Sequence, residues 1–329
     1  MKPSPQFAKR LRTLLPLLGT ALLLVYFARS ADLPGVQRAL RFADLGMFSV
    51  WIIASTLLIW LYDSYCLAWL IRTTLGGRGK DGNCGLRDLA PIKAASYLLN
   101  MVNYHAASLG IAWLVGRRKG LSFLEAAGAL AVLSYIDLVA VAAMAVVGFA
   151  VAPDVLARDP SLQMPLQVVS GLVLGGAVAS VLLIQSGWQL PLLVRLRQVA
   201  LLRPLAALTP AAMLRGIVLR IGIVLAYALQ THVAMWTFGM TPDWSRMLVI
   251  IPVITVVGAV PVSVSGIGTT QVMMRTLCAS FVADGRAPAP VIDALSTSTI
   301  LAMLLVRAVV ALPFLRAVLA ELKSQPADT

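Results

Sequence analysis

The run Val260-Pro261-Val262-Ser263-Val264-Ser265-Gly266-Ile267-Gly268-Thr269-Thr270-Gln271 holds the residue types from which a helix can be restarted inside a membrane. Proline stops an incoming helix, two glycines permit tight turning, and Thr269 or Thr270 can cap a new helix whose free N–H groups face the turn. Such a helix start is an anion site, with Gly266, Gly268 and Thr269 as its cradle. The alternative is a packing kink, because Gly and Pro are common in membrane helices. Arg275 lies about two helical turns past Gly268, on roughly the same face, and is placed to neutralise a bound anion. A second group, Asn100-Met101-Val102-Asn103-Tyr104-His105, offers amide, phenol and imidazole. Its amides either contact a ligand or satisfy the freed backbone of a turn. Asp63, Asp137, Arg220, Arg275 and Arg307 are charges inside apolar runs. A charge at the centre of a span costs about 2.5 to 3.5 kcal/mol, so such residues face the bundle interior and pair or bind. Asp63, Asp137 and Arg275 are the functional candidates, with a purely structural ion pair as the other reading. Arg220 and Arg307 lie near helix ends and can snorkel to the interface.

The chain around these residues is apolar almost throughout. Of 329 residues, 59% are hydrophobic and 12% charged, against about 45 to 50% and about 25% in soluble domains. No water-soluble globule follows from that composition, and no attached soluble domain is expected. Six segments approach the roughly 20 apolar residues that a membrane span needs: 14–31, 48–71, 126–150, 165–184, 216–239 and 290–314. Two others are interrupted, Ala94 to Val115 by Asn100, Asn103, Tyr104 and His105, and Met247 to Phe281 by Pro261, Gly266 and Gly268. They read as re-entrant hairpins with arms of about 10 and about 14 residues, too short to cross comfortably; the second can also be two short spans. The fold expected is an all-α polytopic membrane protein of six spanning helices and two re-entrant helical hairpins.

The net charge of +13 lies in short clusters between apolar runs. It therefore reports membrane orientation rather than nucleic-acid binding. With the N-terminus in the cytoplasm and both interrupted segments returning to the side they leave, the outer side receives only Arg29, Arg38, Arg41, Arg158, Arg246 and Arg286 of the 27 basic residues. Both termini are then cytoplasmic, in the inner membrane of a bacterium. Were Ala94 to Val115 a full span, Arg117, Arg118 and Lys119 would be translocated and the bias of later loops would reverse. The element order is span, span, hairpin, span, given twice, over 1–150 and 165–314 of a single 1–329 membrane domain. Each unit crosses three times, so the second is inverted relative to the first, the arrangement of many secondary transporters. Residues 185–208, with Trp188, Arg195, Arg197 and Arg203, read as an amphipathic interfacial linker. The basic, then apolar, N-terminus is read as a retained helix in preference to a cleaved signal.

Chemistry of other kinds has no visible carrier. Cys66, Cys84 and Cys278 show no metal or redox spacing, so neither a disulfide framework nor a structural metal is expected. No Walker, HExxH, GxSxG or dinucleotide motif occurs, which argues against ATP as energy source and against any cofactor. Gly171 and Gly175 form a GxxxG pair of the kind that brings helices close. His232, beside Gln230 and Thr231, suits an interhelical hydrogen bond.

Two stretches, Asn100 to Gly148 and Ile251 to Gln271, resemble the flippase-like integral membrane family typified by the transmembrane half of lysylphosphatidylglycerol synthases. Asn103, Gly110, Arg117, Arg118 and Asp137 match its first motif, and Pro261, Gly266 and Gly268 its second. The sequence departs from the pattern at Gln271, where the family has glutamate, in lacking an arginine before Asp137, and in lacking a turn proline after Asn103. Glutamine does not titrate, which puts in doubt any proton-coupled step that the resemblance implies. With no synthase domain in the chain, the resemblance implies transport of a polar-headed lipid, anionic or isoprenoid-linked, without aminoacyl transfer. Asn100, Asn103 and Asp137 would then face the cradle of Gly266, Gly268 and Thr269, with Tyr104, His105, Gln271 and Arg275 completing the site. A membrane transferase acting on a lipid-linked substrate, and a non-catalytic partner of a lipid-synthesis enzyme, are the rival expectations; the first needs an acid, base or metal site, and the sequence offers no paired carboxylates at ligand spacing.

Overall fold

The computed structural model describes residues 32–76, 84–102, 104–153, 160–184, 188, 191–259, 269–283 and 285–324. The expected first span, Asn103, and the break from Pro261 to Gly268 lie outside them. The side chains of Tyr104, His105 and Thr269 do so as well.

Local chemistry sets the helix starts. Asp32 opens α1 (Leu33–Phe42) by accepting from the Gly35 N–H, and Asp44 opens α2 (Leu45–Leu75) by accepting from the Met47 N–H at 2.9 Å. Helices α3 (Leu86–Val102) and α4 (Tyr104–Lys119) follow as a pair. Ser122 and Glu125 form a reciprocal capping box at the start of α5 (Phe123–Val151). Next come α6 (Pro160–Ile184) and the short α7 (Pro191–Gln198) and α8 (Arg203–Ala207). Thr209 caps α9 (Pro210–Thr237), with Pro210 pre-set for the first turn. Helices α10 (Trp244–Ala259) and α11 (Thr269–Cys278) make a second pair, a 3₁₀ turn covers Ala279–Phe281, and α12 (Pro288–Ser324) ends the series. Regular structure among the described residues is helical apart from one isolated antiparallel bridge, Met240 to Val282.

Among the described residues, four helices are long and apolar enough to cross a membrane: Leu45–Leu75, Phe123–Val151, Pro210–Thr237 and Pro288–Arg316. Each covers an expected span, and with them the chain is a multi-pass membrane protein. The segment expected at 165–184 is helical in α6, of which Gln167–Ser180 counts as a shorter apolar helix. The arms of the first interrupted segment are longer than expected. At 17 and 16 residues they reach about 25 Å, because helix continues through Pro91 and Lys93 on one side and through Arg117 to Lys119 on the other.

Each helix pair is tied at its base. Lys119, at the end of α4, bonds Asp88, at the start of α3, at 3.0 Å, and Arg118 donates to the Asp88 carbonyl. At the second pair, Thr241 N–H, just before α10, donates to the Phe281 carbonyl just after α11 at 2.8 Å. The pairs also pack reciprocally, α3 against α12 and α10 against α5, while α2 packs along α9. Close approach of α10 to α5 depends on Gly148, where a Cβ would lie 2.9 Å from the Leu248 carbonyl oxygen.

Two large apolar cores form among the described residues, beside a small one at Ala152, Val249 and Val253. One joins Leu67 to Ile71, Ala129 to Ile136 and Met213; the other joins Phe48, Ile52, Val141, Met144, Val224, Ala228 and Met247. On α2 the gap between the cores runs from Ile52 to Leu67, on α5 from Ile136 to Val141, and on α9 from Met213 to Val224. The expected close packing at Gly171 and Gly175 is not found among the described residues, where nothing lies within 4 Å of a Cβ at either. Helix α6 instead meets α5 on its other side, through a Ser180 to Tyr135 hydrogen bond of 2.7 Å. Within the expected linker, Arg203 pairs with Glu125 at 3.3 Å and the Leu201 carbonyl presses on Gly128, so this part packs against the start of α5.

Candidate functional site

Asp63 on α2, Asp137 on α5 and Arg220 on α9 occupy the level between the two apolar cores. The guanidinium of Arg220 donates from Nε to Asp137 and from Nη1 to Asp63. Lys93 of α3 closes the series on the other oxygen of Asp63, at 2.7 Å. Lys93, Asp63, Arg220 and Asp137 thus form one chain of ion pairs joining four helices, with no net charge. Burial makes that pairing necessary, since an isolated charge in a medium this apolar would cost several kcal/mol. The Asp137 side chain, 31% exposed, is the accessible end of the chain, whereas that of Arg220 is 9% exposed.

This corrects two sequence expectations. Arg220 does not snorkel: its position one turn into the apolar run is overridden by two carboxylates that face it across helix contacts. Lys93, which stands just outside the interrupted apolar segment that begins at Ala94, is folded into the bundle by the extension of α3. Asp137 lies against a basic partner, as a carboxylate at that depth requires.

Polar bonds at this level and to one side of it hold α2 and α9 in register. Gln230 donates to Ser55 at 2.8 Å and to Thr56 at 3.2 Å, Trp51 donates to the Gln230 carbonyl, and Tyr62 donates to the Leu219 carbonyl, all between α2 and α9. Among the described residues Nδ1 of His232 is buried without a hydrogen-bond partner, and the ring packs edge-on to Trp244 at 5.3 Å.

Arg275 forms a two-point ion pair with Asp293 of α12, using Nε and Nη2. Sequence reasoning did not single out Asp293, at the start of the last span, and left Arg275 between an anion and a structural ion pair. Gln271, one turn before Arg275, is 7% exposed, and Asn100 is half-buried near the end of α3. The structure brings Asp137 together with Arg220 and Asp63, not with Arg275. Arg307 lies over the Tyr97 ring at 5.3 Å. No group of three His, Cys, Asp or Glu suited to a metal occurs among the described residues.

At the base of the first pair, outside the apolar level, burial pushes the Asp88 carboxyl up. The Gly85 N–H and Lys119 outweigh it and leave the group below its ordinary value. Asp88 therefore stays ionised at neutral pH and keeps the base closed.

The family model described as the lysylphosphatidylglycerol synthase TM region matches residues 13–306. That range takes in the ion-pair chain, both helix pairs and Arg275 with Asp293, and the chain belongs to this family. No curated protein matches it.

Proposed function

We propose that this member of the lysylphosphatidylglycerol synthase transmembrane-region family moves a polar-headed lipid between the leaflets of a bacterial inner membrane. The ion-pair chain at mid-height carries the reading. A bundle that had only to be stable would gain from apolar residues at those positions, so charges kept there mark a polar path. The headgroup travels beside the helix pairs while the acyl chains remain in the bilayer.

Reciprocal packing supports an inverted repeat. Exchanging the two units turns the α3 to α12 contact into that of α10 with α5, and returns the α2 to α9 contact to itself. The tied bases support re-entrant hairpins, because each pair then leaves on the side where it arrived. Two pseudo-equivalent halves around a mid-membrane site are the plan of alternating-access carriers. Cysteines placed at positions 118 and 203 should react with a membrane-impermeant maleimide only from the cytoplasmic side, and one at 159 only from outside. Labelling at 118 from outside would remove the first hairpin.

The test of function is purified protein in vesicles carrying lipid labelled in one leaflet. Transport predicts that the label reaches the other leaflet chemically unchanged and faster than in empty vesicles. Conversion of the label would make the protein a transferase instead. Equal crossing with and without protein would leave it as an assembly partner.

A further inference from the structure

The inward face of α12 changes character along its length. Leu301, Leu305, Val309 and Leu312, all more than half exposed, mark one stripe of the helix as its lipid face. Arg307 lies roughly 200° around the helix from that stripe, at about 100° per residue. It therefore points into the bundle and does not snorkel. Along that inward face Ile292 and Ser296 are sealed, at 0% and 1%, whereas Thr299, Met303 and Arg307 are partly accessible. An opening on this face is thus bounded by Ser296 on one side and by Ala311, at 0%, on the other, with a guanidinium on its wall.

Arg307 is placed unlike the other charges of the interior. Lys93, Asp63, Arg220 and Asp137 cancel one another, and Arg275 has Asp293. Among the described residues Arg307 has no carboxylate partner, and its buried Nε makes no hydrogen bond. The guanidinium carbon lies over the Tyr97 ring, 5.3 Å from its centroid, a cation–π contact that holds the group without using its N–H donors. Tyr97 stands one turn from Lys93 on the same face of α3, so this group adjoins the ion-pair chain. A planar cation with unused donors, held by an aromatic ring and facing an internal space, is built to take an oxyanion in two-point fashion.

We infer that Arg307, seated on Tyr97 between α12 and α3, binds the phosphate oxyanion of an anionic ligand in the inward-facing space. The ligand chemistry is a phosphate, carried by a lipid headgroup or free in solution. As a lipid site, it rests on the transport reading and supplies that reading with a headgroup charge.

The test is calorimetric titration of detergent-solubilised protein with short-chain phosphatidylglycerol, short-chain phosphatidylcholine and inorganic phosphate. Phosphatidylglycerol should bind wild type, Arg307→Gln should weaken it about 10- to 100-fold, the range for one charge-assisted contact, and Arg307→Lys should fall between. Phosphatidylcholine, whose own cation already accompanies its phosphate, should change by less than about threefold. Because no ion pair is broken, Arg307→Gln should keep the wild-type melting temperature; Tyr97→Leu, which alters no charge, is the second variant and should weaken phosphatidylglycerol several-fold. Inorganic phosphate binding with the same dependence on Arg307, without phosphatidylglycerol binding, would keep the site and assign it to a soluble anion. Equal phosphatidylglycerol affinity in wild type, Arg307→Gln and Tyr97→Leu overturns the site. Binding is read without vesicles, so the two readings fail separately. Arg307-dependent binding with no lipid crossing would refute transport alone, and unchanged crossing and binding in Arg307→Gln would refute this site alone.

Discussion

Arg220→Gln is expected to destabilise the protein by about 3 to 5 kcal/mol, the usual cost of stripping one partner from a buried ion pair. The substitution strands Asp137 and leaves Asp63 with Lys93 alone, turning a neutral group into one with an excess negative charge. Removing the second charge should reverse much of the loss. Arg220→Gln with Asp137→Asn keeps the Lys93 to Asp63 pair and restores neutrality, so it should be more stable than Arg220→Gln. Melting temperature and the monodisperse fraction after detergent extraction read both effects. Wild-type stability in Arg220→Gln would mean that Arg220 reaches water after all. Recovery in the double variant without recovery of lipid crossing would separate the stabilising role of the chain from its role in transport.

The expected snorkelling of Arg220 shows where sequence reading stops. Distance from a helix end is visible in sequence; the direction that a side chain faces depends on which helices pack together. Arg220 meets Asp63 across 157 residues and Asp137 across 83, and no local pattern encodes those separations. The spans were legible because hydropathy is a sum over neighbours: α2, α5, α9 and α12 lie where their apolar runs predict. The pairing of α3 with α4 was legible through Asn100 to His105 and the charge cluster at Arg117 to Lys119, while the arm lengths were not. Helix does not end where hydrophobicity ends, and Lys93 is drawn inward by Asp63. Arg307 had the same ambiguity as Arg220, and the lipid stripe of α12 decides it.

Asp293→Ala should release α11 from α12, because it leaves the Arg275 guanidinium without its two-point partner at a place where Asp293 itself is 6% exposed. The cost should again be about 3 to 5 kcal/mol. Cys278, the last residue of α11, is fully buried in the same core. In protein with Cys66→Ala and Cys84→Ala it should resist maleimide, and Asp293→Ala should expose it to labelling. Arg275→Ala bears directly on the sequence expectation that Arg275 serves an anion. If it served mainly as an anion ligand, its loss would weaken anionic lipid binding and leave Cys278 protected. As half of an ion pair, its loss strands the Asp293 carboxylate and exposes Cys278 as Asp293→Ala does. Arg275→Ala with Asp293→Ala strands neither charge and should regain much of the protection. Protection of Cys278 in both single variants would mean that this pair contributes little to the docking of α11, and that the anchoring comes from apolar contacts such as Met274 and Phe281 instead.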